Sequence, residues 1–552
     1  MPRLLLLIVP LLAALLAATP AARGESALTP EQKAQHVLNR LAFGPRPGDI
    51  ERVKAMGVER YIDAQLHPER LTDPAALRNR LASLDTLQMS AADLFRAYGP
   101  PALRRTKDDP DARRALQEET RRVAQQAAEA RLARALASPR QLEEVMVDFW
   151  FNHFNVFAGK GLDRIWSGLY EQEAIRPYVL GNFRDLLGAT ARHPAMLFYL
   201  DNYRSSAPGV SVGAGPLKSD GLNENYAREL MELHTLGVDA GYTQADVVAL
   251  ARIFTGWGFS PRAFARGEGS PFAFDARRHD FGEKVFLGQQ VAGSGMAEGE
   301  WALDVLAASP ATARRVSFKL AQYFVADAPP PTLVDRLAKR FLASRGDIRA
   351  TLAALFASPE FWDAKHVGTK FKTPYRYLLS SLRAADVDVV NVRPVLGALY
   401  QFGMPLYGCP TPDGYKDTEA AWLNPEALTR RINFATALGA GRLPLDRRPE
   451  DAPASGFGRR ELERAANVAL RDDARASEPR LPGTDAVPGN ARQAATQDAA
   501  VMRAPPMPPL DPAALQRTLS GTLTASTLDA IASAPRALQP GLILGSPEFM
   551  RR

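Results

Sequence analysis

Between Gly221 and Phe259 the apolar residues recur at helical spacing twice in succession, which commits this stretch to two helices joined by a short turn. The first pattern runs from Asn223 to Leu236 and stops at Gly237, a residue suited to the left-handed position after a helix. The second begins after Thr243, with Asp246 three residues on as in a capping box, and ends near Gly256. At about 100° per residue, Tyr226, Leu230 and Leu233 form one apolar stripe. Glu224, Arg228 and Glu232 lie on the far side, spaced as a solvated ion-pair ladder.

Polar residues flank that stripe. Asn225 and Glu229 lie on one border, Asn223 and His234 near the other, and a partly buried polar side chain needs a partner. Asn223 also suits an N-cap. Glu229 and His234 are of the types that serve as acid, base or ligand. In a regular α-helix their spacing sets them about 140° apart, so this helix alone cannot clamp one ion with both.

Three other stretches supply candidates. In FWFNHFNVF, Asn152, His153 and Asn155 interleave with aromatic residues, and a run this dense is buried. In ARHPAMLFYLDNYRSS, Asp201 and Asn202 close an apolar run, while His193 before Pro194 reads as a cap or turn residue. His279-Asp280 reads as an exposed turn. A formal GxSxG at Gly209–Gly213 lacks the strand before and the helix after that a nucleophile elbow needs, so Ser211 reads as a loop residue. Cys409 is the only cysteine, which excludes an intrachain disulfide and a cysteine metal cluster.

The candidate site therefore comprises His153, Glu229 and His234 as catalytic groups. Asn152, Asn202, Asn223 and Asn225 would orient substrate. Asp201, together with His153, Glu229 and His234, offers mixed N/O ligands to a divalent metal such as Zn or Mn, although the spacings do not demand one.

The fold expected is mainly α: a multi-helix body over 25–440 with a small β-hairpin excursion at FAFDARRHDFGEKVFLG. Residues 110–138 read as an exposed helix or helical arm, being rich in Ala, Arg, Glu and Gln with few large apolar residues. Residues 441–512, rich in Pro, Ala and Arg, read as a disordered linker or insertion, and 513–552 as a helical element docking on the body. Leu355–Trp362 and Leu542–Met550 share Ser-Pro-Glu-Phe, read as a reused helix-start corner. Residues 1–24 have the charged start, apolar run and Ala-rich end of a secretory signal, giving a periplasmic or secreted protein with no transmembrane span after its removal. The net charge of +7 is spread without a long basic run, and no zinc-finger, RNA-recognition or basic-zipper pattern occurs, so no nucleic-acid partner is expected.

LNRLAFGPRPGDIERV, FWFNHFNV, PAMLFYLDN, the central LNENYARELMELHTLGVDAGYTQADVVALARIFTGW, HDFGEKVFLG and the Ser-Pro-Glu-Phe corners together resemble a family of bacterial exported proteins catalogued as domain of unknown function 1800. GMPLYGCPTPDGYKDTEAAWL resembles the family's turn-rich segment, with Tyr415 where a Trp is expected. The resemblance implies an exported, mostly helical protein, and gene neighbourhood with an exported sulfatase-like family. It implies no agreed reaction. Two readings stay open: a hydrolase-like enzyme with the polar site above, metal optional, or a non-catalytic export, assembly or binding partner of the sulfatase-like protein. Side chains converging on a wet pocket favour the first, and a closed, mutually satisfied cluster the second.

Overall fold

The computed structural model describes residues 28–212, 219–268, 270–447 and 507–552. The signal-like 1–24 and most of the 441–512 insertion lie outside the described residues. The fold is mainly α, with three two-stranded antiparallel pairings among the described residues. No helix of the described residues is long and apolar enough to cross a membrane.

Local chemistry sets the helix starts. Thr29, Ser90 and Thr243 each close a capping box, the last with Asp246 as its spacing predicts. His193 accepts the Ala195 N–H through Nδ1 and caps the Pro194–Tyr199 helix. Ser358 and Ser546 accept the N–H groups of Phe361 and Phe549, so both Ser-Pro-Glu-Phe segments make the same serine-closed corner, which opens the Pro359–Trp362 helix in the first case and stays a turn in the second.

A continuous apolar core runs through the body, with Trp150, Trp166 and Trp257 wholly buried. Each buried Leu or Phe contributes roughly 1.5–3 kcal/mol. Close approaches fix the packing: a Cβ on Gly168 would stand 2.3 Å from the Ala127 Cβ, where the Asp163–Tyr170 helix crosses the Pro110–Ala137 helix. The last helix, Gln539–Leu544, packs on Pro425–Gly439, and Arg551 bridges to Phe371.

Four expectations change. The Pro110–Ala137 helix is exposed only in its first half; from Val123 on it buries a face of small residues, which an apolar count undervalues. The segment FAFDARRHDFGEKVFLG does not pair with itself: Ala273–Phe274 pairs with Trp257–Gly258, and Lys284–Phe286 with Gln289–Val291. Leu287 and Gly288 both have positive φ, as a two-residue hairpin turn requires, and they set that second register. His279 is buried, its ring nitrogens facing Thr255 O and Glu298 Oε1. Finally, Leu443, Leu445 and Met507 are core residues, so the body reaches further into both ends of 441–512 than composition implies.

Candidate functional site

The central pair of helices is not a regular α-helix followed by a turn. Asn225–Glu229 is α-helical, and Leu230–His234 is a π turn. Thr235 stabilises the wide turn by donating its hydroxyl to Leu230 O at 2.7 Å. Gly237, at φ +98°, then lets its N–H reach Met231 O. A π turn inserts one residue, which rotates the rest of the helix by roughly 100° and brings Glu229 and His234 to roughly 40° of one another about the axis. The 140° separation expected of a regular helix is thus overturned. The two side chains still do not bond: His234 turns into the aromatic core, while Glu229 stays half-buried near the surface.

His153 and His234 meet across two helix ends. His153 Nε2 donates to the His234 carbonyl at 3.0 Å, which leaves its Nδ1 bare and without a partner. The rings stand 6.2 Å apart, with the Phe154 ring 5.1 Å from that of His234. His234 Nε2 also lacks a partner. Burial, then the Arg315 and Lys319 charges, lowers His234 to about 3. Burial and the Lys319 charge hold His153 well below its ordinary value. Both rings are neutral at physiological pH.

The asparagines hold backbone. Asn152 Nδ2 donates to Tyr415 O, and the Tyr415 N–H donates back to Oδ1. Asn155 Nδ2 donates to the carbonyls of Cys409 and Thr411. Together they pin the 409–415 segment over the end of the Gln141–His153 helix. Gly414 is required there: at φ +69° a Cβ would stand 2.2 Å from Asn152 O. Asn202, buried, donates to Phe254 O and Trp257 O, and its Oδ1 has no partner. Asn223 Oδ1 accepts the Asn225 N–H at the start of the helix, and exposed Asn225 donates to Leu200 O.

Asp201, at φ +60°, pairs with Lys160 at 2.8 Å. Among the described residues no three His, Cys, Asp or Glu side chains are placed to hold a metal ion. The set of Asp201, His153, Glu229 and His234 is therefore not assembled as ligands: Asp201 is taken by lysine and His153 by a carbonyl. Ser211 lies in a two-residue strand paired with Asp220, not in an elbow.

A family model described as a protein of unknown function, DUF1800, matches residues 36–551. The chain belongs to this family. Neither the curated proteins nor the solved structures contain a match to it.

Around the asparagine frame, this DUF1800 chain places titratable groups that the sequence pattern does not single out. Lys319, on the Pro310–Phe324 helix, is partly buried without a hydrogen bond or ion pair, and burial, then Arg315 and Lys416, lowers it to about 8. Glu229 has no hydrogen bond, and burial, then Glu232 and Asp413, raises its carboxyl. Asp413 is within electrostatic reach of both and is bonded to Lys416 at 2.5 Å. The signal in the sequence is a lone Lys on the border of the apolar face Val316, Leu320, Phe324. Two surface cavities, of about 390 and 520 Å³, lie elsewhere, around Arg184 and Glu300 and around Asp93 and Arg96.

A second such group is a buried charge network. Arg131 bonds Asp148 at 2.7 Å and Glu171 at 3.1 Å, Arg176 bonds Glu144 and Glu171, and Tyr407 donates to Glu171. Glu171 opens the other π turn, Glu171–Ile175. Two guanidiniums bond all three carboxylates, so the network ties the helices together and every carboxylate in it is engaged.

Proposed function

We propose that this chain is an exported bacterial protein with an acid–base site of hydrolase-like character centred on Glu229 and Lys319, framed by His153, His234 and the asparagines. One observation supports the reading above the others. Glu229 and Lys319 are both without hydrogen-bond or ion-pair partners in the protein, and burial is the first cause that shifts each toward neutrality; the Asp413 charge adds to the shift of Glu229 and opposes that of Lys319. Burial raises a carboxyl and lowers an amine, and groups shifted in these directions are the kinds that serve as acid and base. The asparagines do not contact substrate in this reading. They hold the 409–415 segment, and Asn202 the 254–257 turn, so that the site keeps its shape.

The test is turnover of a panel of chromogenic esters, phosphates, sulfates and glycosides by the purified protein. Glu229→Gln and Lys319→Met should each lower kcat/KM at least about 100-fold while the fold is retained. Equal turnover by wild type and both variants would end the proposal.

A second reading has its own support: Asn152, Asn155, Asn202 and His153 all spend their donors on backbone carbonyls. Under it the chain is a non-catalytic partner of a co-encoded, exported sulfatase-like protein. Saturable binding of that protein by wild type and by Glu229→Gln alike, with no turnover of the panel, would favour it.

A further inference from the structure

Tyr323, on the same Pro310–Phe324 helix that carries Lys319, lies against two wholly buried arginines, Arg376 and Arg552, and a third, Arg40, is buried within electrostatic reach of both. They come from distant parts of the chain and are brought together by specific contacts. Arg376 Nη1 donates to Asn39 O and Ala42 O, the carbonyls at the end of the helix that carries Arg40. Arg376 and Arg552 both lie over the Tyr323 ring, 4.8 and 4.9 Å from its centroid. Arg40 Nη2 donates to His366 O.

Those contacts leave much of the guanidinium edges open. Nε and Nη1 of Arg40, Nε and Nη2 of Arg376, and Nε and Nη1 of Arg552 are buried with no partner. Arginine stays protonated in proteins, so these groups cannot escape by losing charge, and buried guanidinium N–H groups without acceptors are strongly destabilising. The neighbouring carboxylates are already engaged. Asp417 takes Arg552 Nη2 and Lys370, and Asp327 takes Lys370 and the Glu419 N–H. Burial, then the Arg552 and Arg376 charges, pushes Arg40 well below its ordinary value, as expected of cations held together with too little counter-charge.

We propose that Arg40, Arg376 and Arg552 form a buried receptor for one small inorganic oxyanion, whose oxygens accept the guanidinium N–H groups the protein leaves open. The forked, planar donors of three arginines suit a tetrahedral oxyanion better than a spherical halide. The site is separate from Glu229 and Lys319 and does not depend on the proposed acid–base chemistry. Its occupant ties the first described helix, the Pro374–Ala384 helix and the Arg552 end to one point.

The full-length mature protein is dialysed exhaustively into buffer free of sulfate and phosphate, unfolded, and its released anions are measured by ion chromatography. Recovery of one sulfate or phosphate equivalent per chain is expected, and the two ions are resolved by the same run. In parallel, Tm is followed against added sulfate, phosphate or chloride at constant ionic strength. A saturable rise with an oxyanion, absent with chloride, is expected of a site that binds the folded state only. Arg376→Met and Arg40→Met should abolish the saturable rise. Should either variant fail to fold, the wild-type recovery and titration still decide. No oxyanion recovered and the same Tm in all three salts would mean that water fills the site, and a rise with chloride alone would also overturn the proposal.

Discussion

Asn152 and Tyr415 exchange two hydrogen bonds of 2.7 Å, the side-chain amide of one closing on the peptide of the other. This pairing ties the Gln141–His153 helix to the turn-rich segment that carries Asp413. Asn152→Ala leaves both backbone groups of Tyr415 open in a half-buried setting. It should destabilise the fold by about 1–3 kcal/mol. Denaturant unfolding measures the loss, and limited proteolysis should show new cleavage within 403–422. Unchanged protection there would mean that the clamp is not what holds the segment.

Gly414 tests the same contact from the other side. Its φ of +69° alone would cost an alanine about 1–3 kcal/mol. In addition a Cβ would meet the Asn152 carbonyl, which belongs to backbone and cannot swing away. Gly368 is the control, with φ +65° and nothing within 4 Å of its would-be Cβ. Gly414→Ala should therefore destabilise more than Gly368→Ala, and the difference reports the contact. Equal losses in thermal melts of the two variants would show that the segment can lift off the helix at no cost.

Helix starts, the Gly237 stop and the mainly helical class rest on capping residues and periodicity, which act over a few residues and can be read locally. The π turn at Leu230–His234 could not be read so. It depends on Thr235 and on a His153 side chain that is distant in sequence, and it rotated Glu229 relative to His234. The asparagines stand out in the sequence as polar residues needing partners, but those partners are carbonyls of loops, which no spacing rule reports. Lys319 was invisible for the opposite reason: one charged residue on an apolar border looks solvated until tertiary packing covers it. The burial of Arg40, Arg376 and Arg552 is hidden in the sequence for the same reason.

Glu229 makes a prediction whose sign is fixed by the direction of its shift. Its carboxyl is raised in the folded state, first by burial and then by Glu232 and Asp413. The folded chain therefore keeps a proton that the unfolded chain releases, and stability is lost as pH rises from the unfolded value of 4.5 through the raised folded value. Glu229→Gln removes that loss. Its stability relative to wild type should grow with pH across that window and then level off, as replacement of a functional but strained group does. Guanidinium unfolding of both proteins at a series of pH values measures this. A constant difference would show that Glu229 ionises as freely in the fold as outside it.

His234 should give the opposite slope. The unfolded imidazole takes up a proton near 6.5, whereas the folded one stays neutral until about 3. Between those values the unfolded state binds the extra proton, so stability falls as pH drops, by roughly 1.4 kcal/mol per pH unit for this one residue. His153 is lowered as well and adds its own share, so the comparison that isolates His234 is wild type against His234→Gln. Glutamine does not titrate, and whatever constant packing cost it carries does not alter a slope. The unfolding free energy of the variant should therefore decline less steeply between pH 6 and pH 4 than that of wild type, by roughly the same 1.4 kcal/mol per unit. Parallel lines for the two proteins would mean that His234 is protonated inside the fold, and that the Arg315 and Lys319 charges beside it are screened.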